Sequence, residues 1–229
     1  MKAFHNNPSI KEKYITRLQA HYQADEIIKG QYWQNGKGCA VGCTIHSSYH
    51  KNYESELGIP KNIAYLQDRI FEGLPNELAK EFPLQFLSSI KVSADLKNVS
   101  KLFMIWLLTD SKYGVIKYAD NKKVIQDVAD AFSRDMVNTV SVEEWKELRK
   151  NANDAAGTTT SANSASYAAY TAASYAASTS YYAASTVFSV AATAAYYAAY
   201  TAAYFVENTK SEYYIAASNK LIELLKNSN

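Results

Sequence analysis

The chain has 229 residues, with 24 basic and 22 acidic side chains and a formal net charge of +2. This length is enough to bury one large core or two small ones. So small a net charge argues against a nucleic-acid binder that works by bulk charge. Every Lys, Arg, Asp, Glu and His lies in residues 1–154 or 207–229. Residues 155–206 are therefore 52 uncharged positions, made mostly of Ala, Tyr, Ser and Thr.

The first 154 residues are predicted to form several short helices. Caps and prolines mark the helix starts at Asn7-Pro8, near Cys39, at Pro60, Pro75 and Pro83, and at the Ser141–Glu144 capping box. We expect Gly30 to end the first helix, and the apolar run Leu96–Leu108 and the segment Asn121–Phe132 to form two more. Because no alternating strand pattern is visible, the predicted class is all-α.

The uncharged window carries a repeat of 15 residues. Tyr167, Tyr182 and Tyr197 coincide at that offset, and so do the alanine pairs that follow them. Fifteen residues over four turns is about 3.75 residues per turn, which implies weak right-handed coiling. Alanine favours helix and residues 158–206 contain no Pro or Gly, so we predict one long helix, or two joined near Ser178–Ser180. This region, 155–229, is expected to pack on the helical domain 1–154 as one globule.

Three roles fit the window. Its alanines and tyrosines can form a packed scaffold, its rings can line a pocket for a flat ligand, or its helix can assemble subunits into a homo-oligomer. Eleven of the 19 tyrosines lie in 167–214, more than plain packing requires. A membrane span is not expected, since it needs about 20 mostly apolar residues and strong hydrophobes are few here.

The compartment is expected to be the reducing cytoplasm. Residues 1–7 contain no apolar signal region. The two cysteines, Cys39 and Cys43, are four residues apart on a predicted helix, where a disulfide has poor geometry.

The segment Tyr32–His50 carries most of the candidate chemistry. Its reactive residues Cys39, Cys43, His46 and His50 follow at offsets of four, three and four, which predicts that they share one face of a single helix. Gly36 and Gly38 permit close approach of a ligand to the backbone, and Lys37 adds a positive charge, so the loop is a candidate cradle for phosphate or carboxylate. It lacks the P-loop spacing, and the plainer alternative is a glycine-rich turn before a buried helix.

Two further interpretations rest on the same helix. Cys39, Cys43 and His46 are zinc-ligand types, but on one helix His50 would lie about 16 Å from Cys39, so we expect no metal site. Cys39 is a candidate nucleophile with His46 or His50 as its base, yet two turns of straight helix separate Cys39 from His46 by about 10 Å. Both cysteines can equally be small buried apolar residues of the core. We therefore assign no catalytic group. If the protein is an enzyme, Cys39 and His46 are the candidate catalytic residues.

The run GKGCAVGCTIHSS, followed by HKNYESELGIP and LQDRIFEGLPNE, resembles the pattern of a family of uncharacterised proteins from bacteria and their phages. Those proteins share the motif W-x-N-G-K-G-C-A-V-G-C-T-x-H and an Ala-rich C-terminal half with aromatic residues. The resemblance covers most of the chain and implies no established activity.

These features together predict a small-molecule binding protein for an anionic, nucleotide-like ligand, with no cofactor, nucleic acid or membrane partner. In a phage, such a protein would sequester a nucleotide signal of host defence. A Cys39-dependent hydrolase or transferase, and a helical oligomerisation protein, are the alternatives. The predicted ligand-binding residues are Tyr32, Trp33, Gly36, Lys37, Gly38, Cys39, Cys43, His46, His50 and Arg69.

Overall fold

A computed structural model describes residues 1–119, 121–156 and 209–229 of the chain. Within these ranges the protein is all-α, as predicted, with a single small pair of strands. Two compact units are present: residues 1–99 together with 214–229, and residues 100–213. The compositional boundary after residue 154 falls inside the second unit.

The first unit contains five complete α-helices and the strand pair, together with a short 3-10 helix at Ala3–Asn6 and the larger part of the last helix. The elements are α1 (Pro8–Gln23), β1 (Trp33–Gln34), β2 (Lys37–Gly38), α2 (Ala40–Ile45), α3 (Asn52–Leu57), α4 (Lys61–Gly73) and α5 (Asn76–Ser89). The Asn7 side chain caps α1 by accepting a hydrogen bond from the Ser9 N–H at 2.9 Å, as its position before a proline predicts. Helix α1 ends at Gln23, so the prediction that it runs to Gly30 is wrong.

The apolar sides of these helices meet in one core, where α1 packs on α5 and on α2, and α4 packs on α5 and α2. The buried side chains at this junction include Leu18, Val41, Ile63, Ile70 and Phe86. Helix α2 has all six residues buried and lies between its neighbours as a short internal element. Ala40, the first residue of α2, is therefore already buried in the interior of the unit.

Helix α5 differs from its prediction. Pro75 precedes it as expected, but Pro83 lies inside the helix instead of starting a separate one. A proline removes one backbone donor and crowds the preceding turn, which is why it normally marks a boundary. Here Phe82, Pro83 and Phe86 are all buried, so tertiary packing maintains the helix through the proline.

The second unit contains most of α6 (Val99–Thr109), then α7 (Lys122–Asp135) and α8 (Val142–Ala156). These three confirm the sequence-based helices to within a few residues. The Asn121 side chain caps α7, and the Ser141 hydroxyl accepts a hydrogen bond from the Glu144 N–H at 3.1 Å at the start of α8. Helix α7 packs on α8, with the rings of Phe132 and Trp145 4.9 Å apart.

The last helix, α9 (Thr209–Lys226), begins in the second unit and continues into the first. Within the first unit, the ring of Tyr214 packs against Gly73, where an added Cβ would lie 2.3 Å from it. The Asp95 N–H donates to the Asn229 carbonyl at 2.7 Å, which ties the end of the chain to the same unit. Leu221 and Leu225 are fully buried.

The predicted 15-residue repeat, its long helix or helices and the tyrosines of 167–204 lie outside the described residues. The oligomerisation hypothesis rests on that window, so it stays a prediction. Among the described helices, none combines the length and apolar character that a membrane crossing requires.

Candidate functional site

A tight hairpin positions the first residue of the candidate site. Strands β1 and β2 pair antiparallel around Asn35 and Gly36, both of which have positive φ, as a two-residue hairpin turn requires. Directly after β2, the Cys39 N–H donates to the carbonyls of Gln31 and Tyr32, at 2.7 and 3.1 Å. Cys39 is the N-cap of α2, and its Sγ accepts a hydrogen bond from the Gly42 N–H at 3.4 Å.

Glycine is required at two positions of this segment. A Cβ on Gly38 or Gly42 would lie 2.2 or 1.7 Å from the Tyr32 carbonyl oxygen. The glycines therefore allow the Tyr32 backbone to lie against the start of α2. The Gly38 N–H donates a hydrogen bond to the Glu26 carbonyl at 3.1 Å. Like the Cys39 N–H, it is therefore hydrogen-bonded to the protein's own backbone in this structure.

The predicted single-helix arrangement of Cys39, Cys43, His46 and His50 is wrong. Helix α2 ends at Ile45, because His46 adopts the left-handed conformation with φ 52° and ψ 42°. The chain then turns and returns towards the beginning of α2 before α3 starts. His50, which a continuous helix would place far from Cys39, is instead close to it.

Helix α4 supplies the third side of the site. Tyr65, Asp68, Arg69 and Glu72 recur at offsets of three, four and seven, which places them along one stripe of the helix. All four are partly buried, beside the fully buried face that carries Ile63, Leu66 and Ile70. The stripe thus presents charged and aromatic groups at the edge of the core.

We call Cys39, His50 and Asp68 the cysteine cluster. One donor atom from each side chain, a sulfur, a ring nitrogen and a carboxylate oxygen, lies within 4.8 Å of the other two. His50 Nε2 is 3.2 Å from Asp68 Oδ2 but has no hydrogen-bond partner, because the approach lacks hydrogen-bond geometry. Cys39 is fully buried, His50 is 4% exposed and the Asp68 side chain is 13% exposed.

The surroundings of Cys39 favour its neutral thiol. Burial raises the pKa of Cys39 well above its ordinary value, and the negative charge of Asp68 raises it further. Reactive thiolates are found in electropositive, partly exposed surroundings, which is the opposite of this environment. Burial also raises the pKa of the Cys43 thiol, to about 12, and that sulfur lies 3.3 Å from the Gly38 carbonyl oxygen.

Aromatic rings surround His50. The Tyr65 ring stacks on the imidazole with centroids 4.6 Å apart, and the Tyr32 ring meets it edge-on at 5.1 Å. Tyr32 is itself 58% exposed. Its pKa is raised by burial and by the negative charges of Asp68 and Glu72, and the Arg69 guanidinium lowers it in part. An exposed aromatic ring therefore lies directly beside the buried cysteine cluster.

A second group, the histidine pair, forms beside the hairpin. His21 Nε2 and His46 Nε2 are 2.7 Å apart, and His21 Nδ1 is 2.6 Å from Glu26 Oε2. The Trp33 ring stacks on His46 with centroids 4.6 Å apart and planes at 10°. When both rings are neutral, Glu26 accepts from His21 Nδ1–H and His21 Nε2 accepts from His46 Nε2–H.

The structure divides the predicted ligand-binding residues between these groups. Tyr32, Cys39, His50 and Arg69 lie in or around the cysteine cluster, and Trp33 and His46 belong to the histidine pair. Gly36 and the exposed Lys37 are at the hairpin turn, whereas Gly38 and Cys43 are buried in its packing. The candidate base His46 is hydrogen-bonded to His21. The imidazole that lies close to the candidate nucleophile Cys39 is that of His50.

Sequence reasoning missed Asp68, Tyr65 and the pairing of His21 with Glu26. Asp68 had a usable signal, because it adjoins the apolar face of α4 and precedes Arg69, which was identified. A charged residue in that position requires a partner when it is buried. The five-residue separation of His21 and Glu26 carries no comparable signal, since α1 ends between them.

The fold and the site define an all-α protein with a buried Cys–His–Asp cluster below an exposed tyrosine. Comparisons with protein-family models, with curated proteins and with solved structures found no match to this chain.

Proposed function

We propose that the protein binds a small, planar, anionic ligand of nucleotide-like chemistry at the Tyr32 face of the cysteine cluster. The observation that carries this proposal is the exposed Tyr32 ring, held over buried polar groups and within electrostatic range of Arg69. Stacking on an exposed aromatic ring is a common way to hold a nucleobase, and a guanidinium matches the geometry of a phosphate or carboxylate.

The Tyr32 backbone supports this role. Its carbonyl lies against Gly38 and Gly42 and accepts a hydrogen bond from Cys39. The neighbouring turn is held by the Gly30 N–H, which is 3.1 Å from the Glu72 carboxylate oxygens. A ring on so restrained a segment loses little conformational freedom on binding, which favours affinity.

The proposal predicts that a nucleotide-like ligand raises the melting temperature of the wild-type protein, and that Tyr32→Ala weakens binding by about tenfold or more. A panel of cyclic dinucleotides and ADP-ribose derivatives, measured by thermal shift and then by calorimetry, provides the test. Tyr49→Ala is the matched control, because Tyr49 is 67% exposed and its ring faces Lys51 instead of the cluster.

The proposal fails if no member of the panel shifts the melting temperature, or if Tyr32→Ala binds as tightly as Tyr49→Ala. The Tyr32 backbone, and not its side chain, contacts Gly42 of α2. Removing the side chain therefore leaves these backbone contacts of the hairpin in place. Loss of binding in that variant therefore reports on the Tyr32 ring and on the His50 imidazole that it contacts, and not on the hairpin backbone.

We include in this proposal the predicted relationship to proteins of bacteria and their phages, which would give the binding a biological setting. We infer that the protein acts in the cytoplasm and sequesters a nucleotide signal of host defence. Its two cysteines are free and buried, which suits a reducing compartment. Sequestration requires the ligand to leave the denatured protein chemically intact, which mass spectrometry of the released molecule would establish.

The alternative, a Cys39-dependent hydrolase or transferase, stays a prediction. Its support is the proximity of His50 to Cys39, which supplies an imidazole near a thiol. Because burial and Asp68 hold that thiol neutral, binding is the better-supported function.

A further inference from the structure

The three side chains of the cysteine cluster converge on one point. A thiol sulfur, an imidazole nitrogen and a carboxylate oxygen are the ligand types that zinc prefers in proteins. Around a tetrahedral zinc ion such donors lie about 3.3–3.8 Å apart, since the bonds measure about 2.0–2.3 Å. In the protein they lie within 4.8 Å of one another, and His50 Nε2 and Asp68 Oδ2 are already 3.2 Å apart.

Two atoms of the cluster are buried without a hydrogen-bond partner. These are His50 Nε2 and Asp68 Oδ1, and the His50 side chain is only 4% exposed. Buried polar atoms are normally paired, and such an exception requires an explanation. Both atoms have lone pairs suited to a cation, and both belong to side chains that place a ligand atom within 4.8 Å of the Cys39 sulfur.

We infer that Cys39, His50 and Asp68 form a binding site for one divalent transition-metal ion of the zinc class. The ligands come from three separate places in the fold: the N-cap of α2, the turn before α3, and α4. Three protein ligands leave a coordination position for water or for an oxygen of a bound molecule, as in catalytic zinc sites.

The geometry favours a metal centre over a thiol–imidazole–carboxylate relay. In a relay the imidazole lies between the other two groups and directs a different nitrogen at each. Here the Nε2 of His50 is 3.2 Å from Asp68 Oδ2, and a carboxylate oxygen of Asp68 also lies within 4.8 Å of the Cys39 sulfur. The carboxylate is thus a neighbour of both groups, which is the arrangement that a shared cation requires.

Neighbouring groups already orient two of the ligands. Tyr65 stacks on His50 and Tyr32 contacts its edge, so the imidazole plane is restrained on two sides. The Gly42 N–H donates to the Cys39 sulfur, a contact that stabilises a metal-bound thiolate. Such surrounding contacts fix ligand geometry in known metal sites.

Metal binding has a defined proton balance. The bond from the ion to Cys39 Sγ replaces the S–H bond, and the thiol proton leaves to solvent. His50 and Asp68 bind through existing lone pairs, with the imidazole neutral and the carboxylate ionised. Coordination of Cys39 therefore releases one proton for each ion bound.

The test uses the full chain, dialysed against a chelator and titrated with Co²⁺ and then Zn²⁺ in the absence of any other ligand. We expect one equivalent of Co²⁺ to bind and to produce a sulfur-to-cobalt charge-transfer band that Zn²⁺ removes. Cys39→Ser should abolish the band and weaken metal binding by more than about 100-fold. Cys43→Ser is the matched control and should keep the band, because Cys43 is equally buried but lies outside the cluster.

Asp68→Asn keeps the side-chain shape and provides a second variant if Cys39→Ser does not fold. It should weaken metal binding while retaining the charge-transfer band, since the thiolate remains. The inference is overturned if the folded wild-type protein takes up no metal, if Cys39→Ser and Asp68→Asn bind as tightly as the wild type, or if Cys43→Ser loses the band. Metal uptake without a response to nucleotides would reject the proposed function alone, and the reverse result would reject this inference alone.

Discussion

At the scale of single residues, His46 shows how its neighbours determine a protonation state. Burial, the Arg17 guanidinium and His21 lower the pKa of His46, and the negative charges of Glu26 and Glu56 oppose this effect. The folded protein therefore holds His46 neutral at a pH where the unfolded chain begins to protonate it. The stability that follows is present above the unfolded pKa and is lost as the pH falls towards the folded one.

We predict that the wild-type protein loses stability between pH 8 and pH 5, and that His46→Asn loses less over the same range. Asparagine is suitable because it tolerates the left-handed conformation of this position. Urea unfolding midpoints of both proteins at the two pH values measure the difference. Equal losses in the two proteins would show that His46 contributes nothing to the pH dependence.

At the scale of elements, the contact between the hairpin and α2 depends on the absence of a side chain. Gly42 lies inside α2, where alanine would ordinarily favour helix. Here the added Cβ would lie 1.7 Å from the Tyr32 carbonyl oxygen, so the backbone has to move.

Gly42→Ala is therefore expected to lower the free energy of unfolding by at least about 2 kcal/mol, despite the better helix propensity of alanine. Gly36→Asn is the control, because Gly36 has φ +81° and no atom within 4 Å of an added Cβ. Chemical denaturation of both variants measures the effect. If Gly42→Ala is as stable as the wild type, the close approach of Tyr32 to α2 is not a constraint.

Elements with local signals were predicted well. Caps at Asn7 and Ser141 identified the starts of α1 and α8, because a capping side chain acts within three residues of itself. The predicted segment Asn121–Phe132 matches α7, which the Asn121 side chain caps. The failures occurred where tertiary contacts override a local signal. Helix α5 continues through Pro83 because its neighbours are buried. Helix α2 ends at Ile45, and the left-handed residue that follows it is His46, not a glycine.

At the scale of the whole molecule, residues far apart in the chain share one unit. The C-terminal residues 214–229 belong with residues 1–99, and Leu221 is fully buried. Removing its side chain leaves a cavity in that unit, at a cost of about 2–5 kcal/mol.

We predict that Leu221→Ala lowers the protection of α4 and α5 amides from hydrogen exchange more than that of α7 amides. The first two helices lie in the unit that Leu221 completes, and α7 lies in the other. Lys226→Ala, an exposed change on the same helix, should leave all three helices unchanged. An equal loss of protection in α7 would mean that the two units unfold as one.

The candidate site was predictable in its parts and not in its arrangement. Cys39, His50, Tyr32 and Arg69 stand out as chemistry-bearing residue types in the sequence. Their assembly with Asp68 depends on a left-handed residue at position 46 and on the packing of α2 against α4. Both are long-range outcomes of folding, and neither leaves a periodic pattern in the sequence.

The hairpin and α2 form a segment that is closed on itself. Backbone hydrogen bonds join Cys39 to Gln31 and Tyr32, and Gly38 to Glu26, while both thiols are covered. A small oxidant can reach either sulfur only when this segment opens locally. The oxidative lifetime of the two cysteines is therefore a kinetic property of the fold, set by how often residues 31–43 come apart, and not by the intrinsic reactivity of the sulfur.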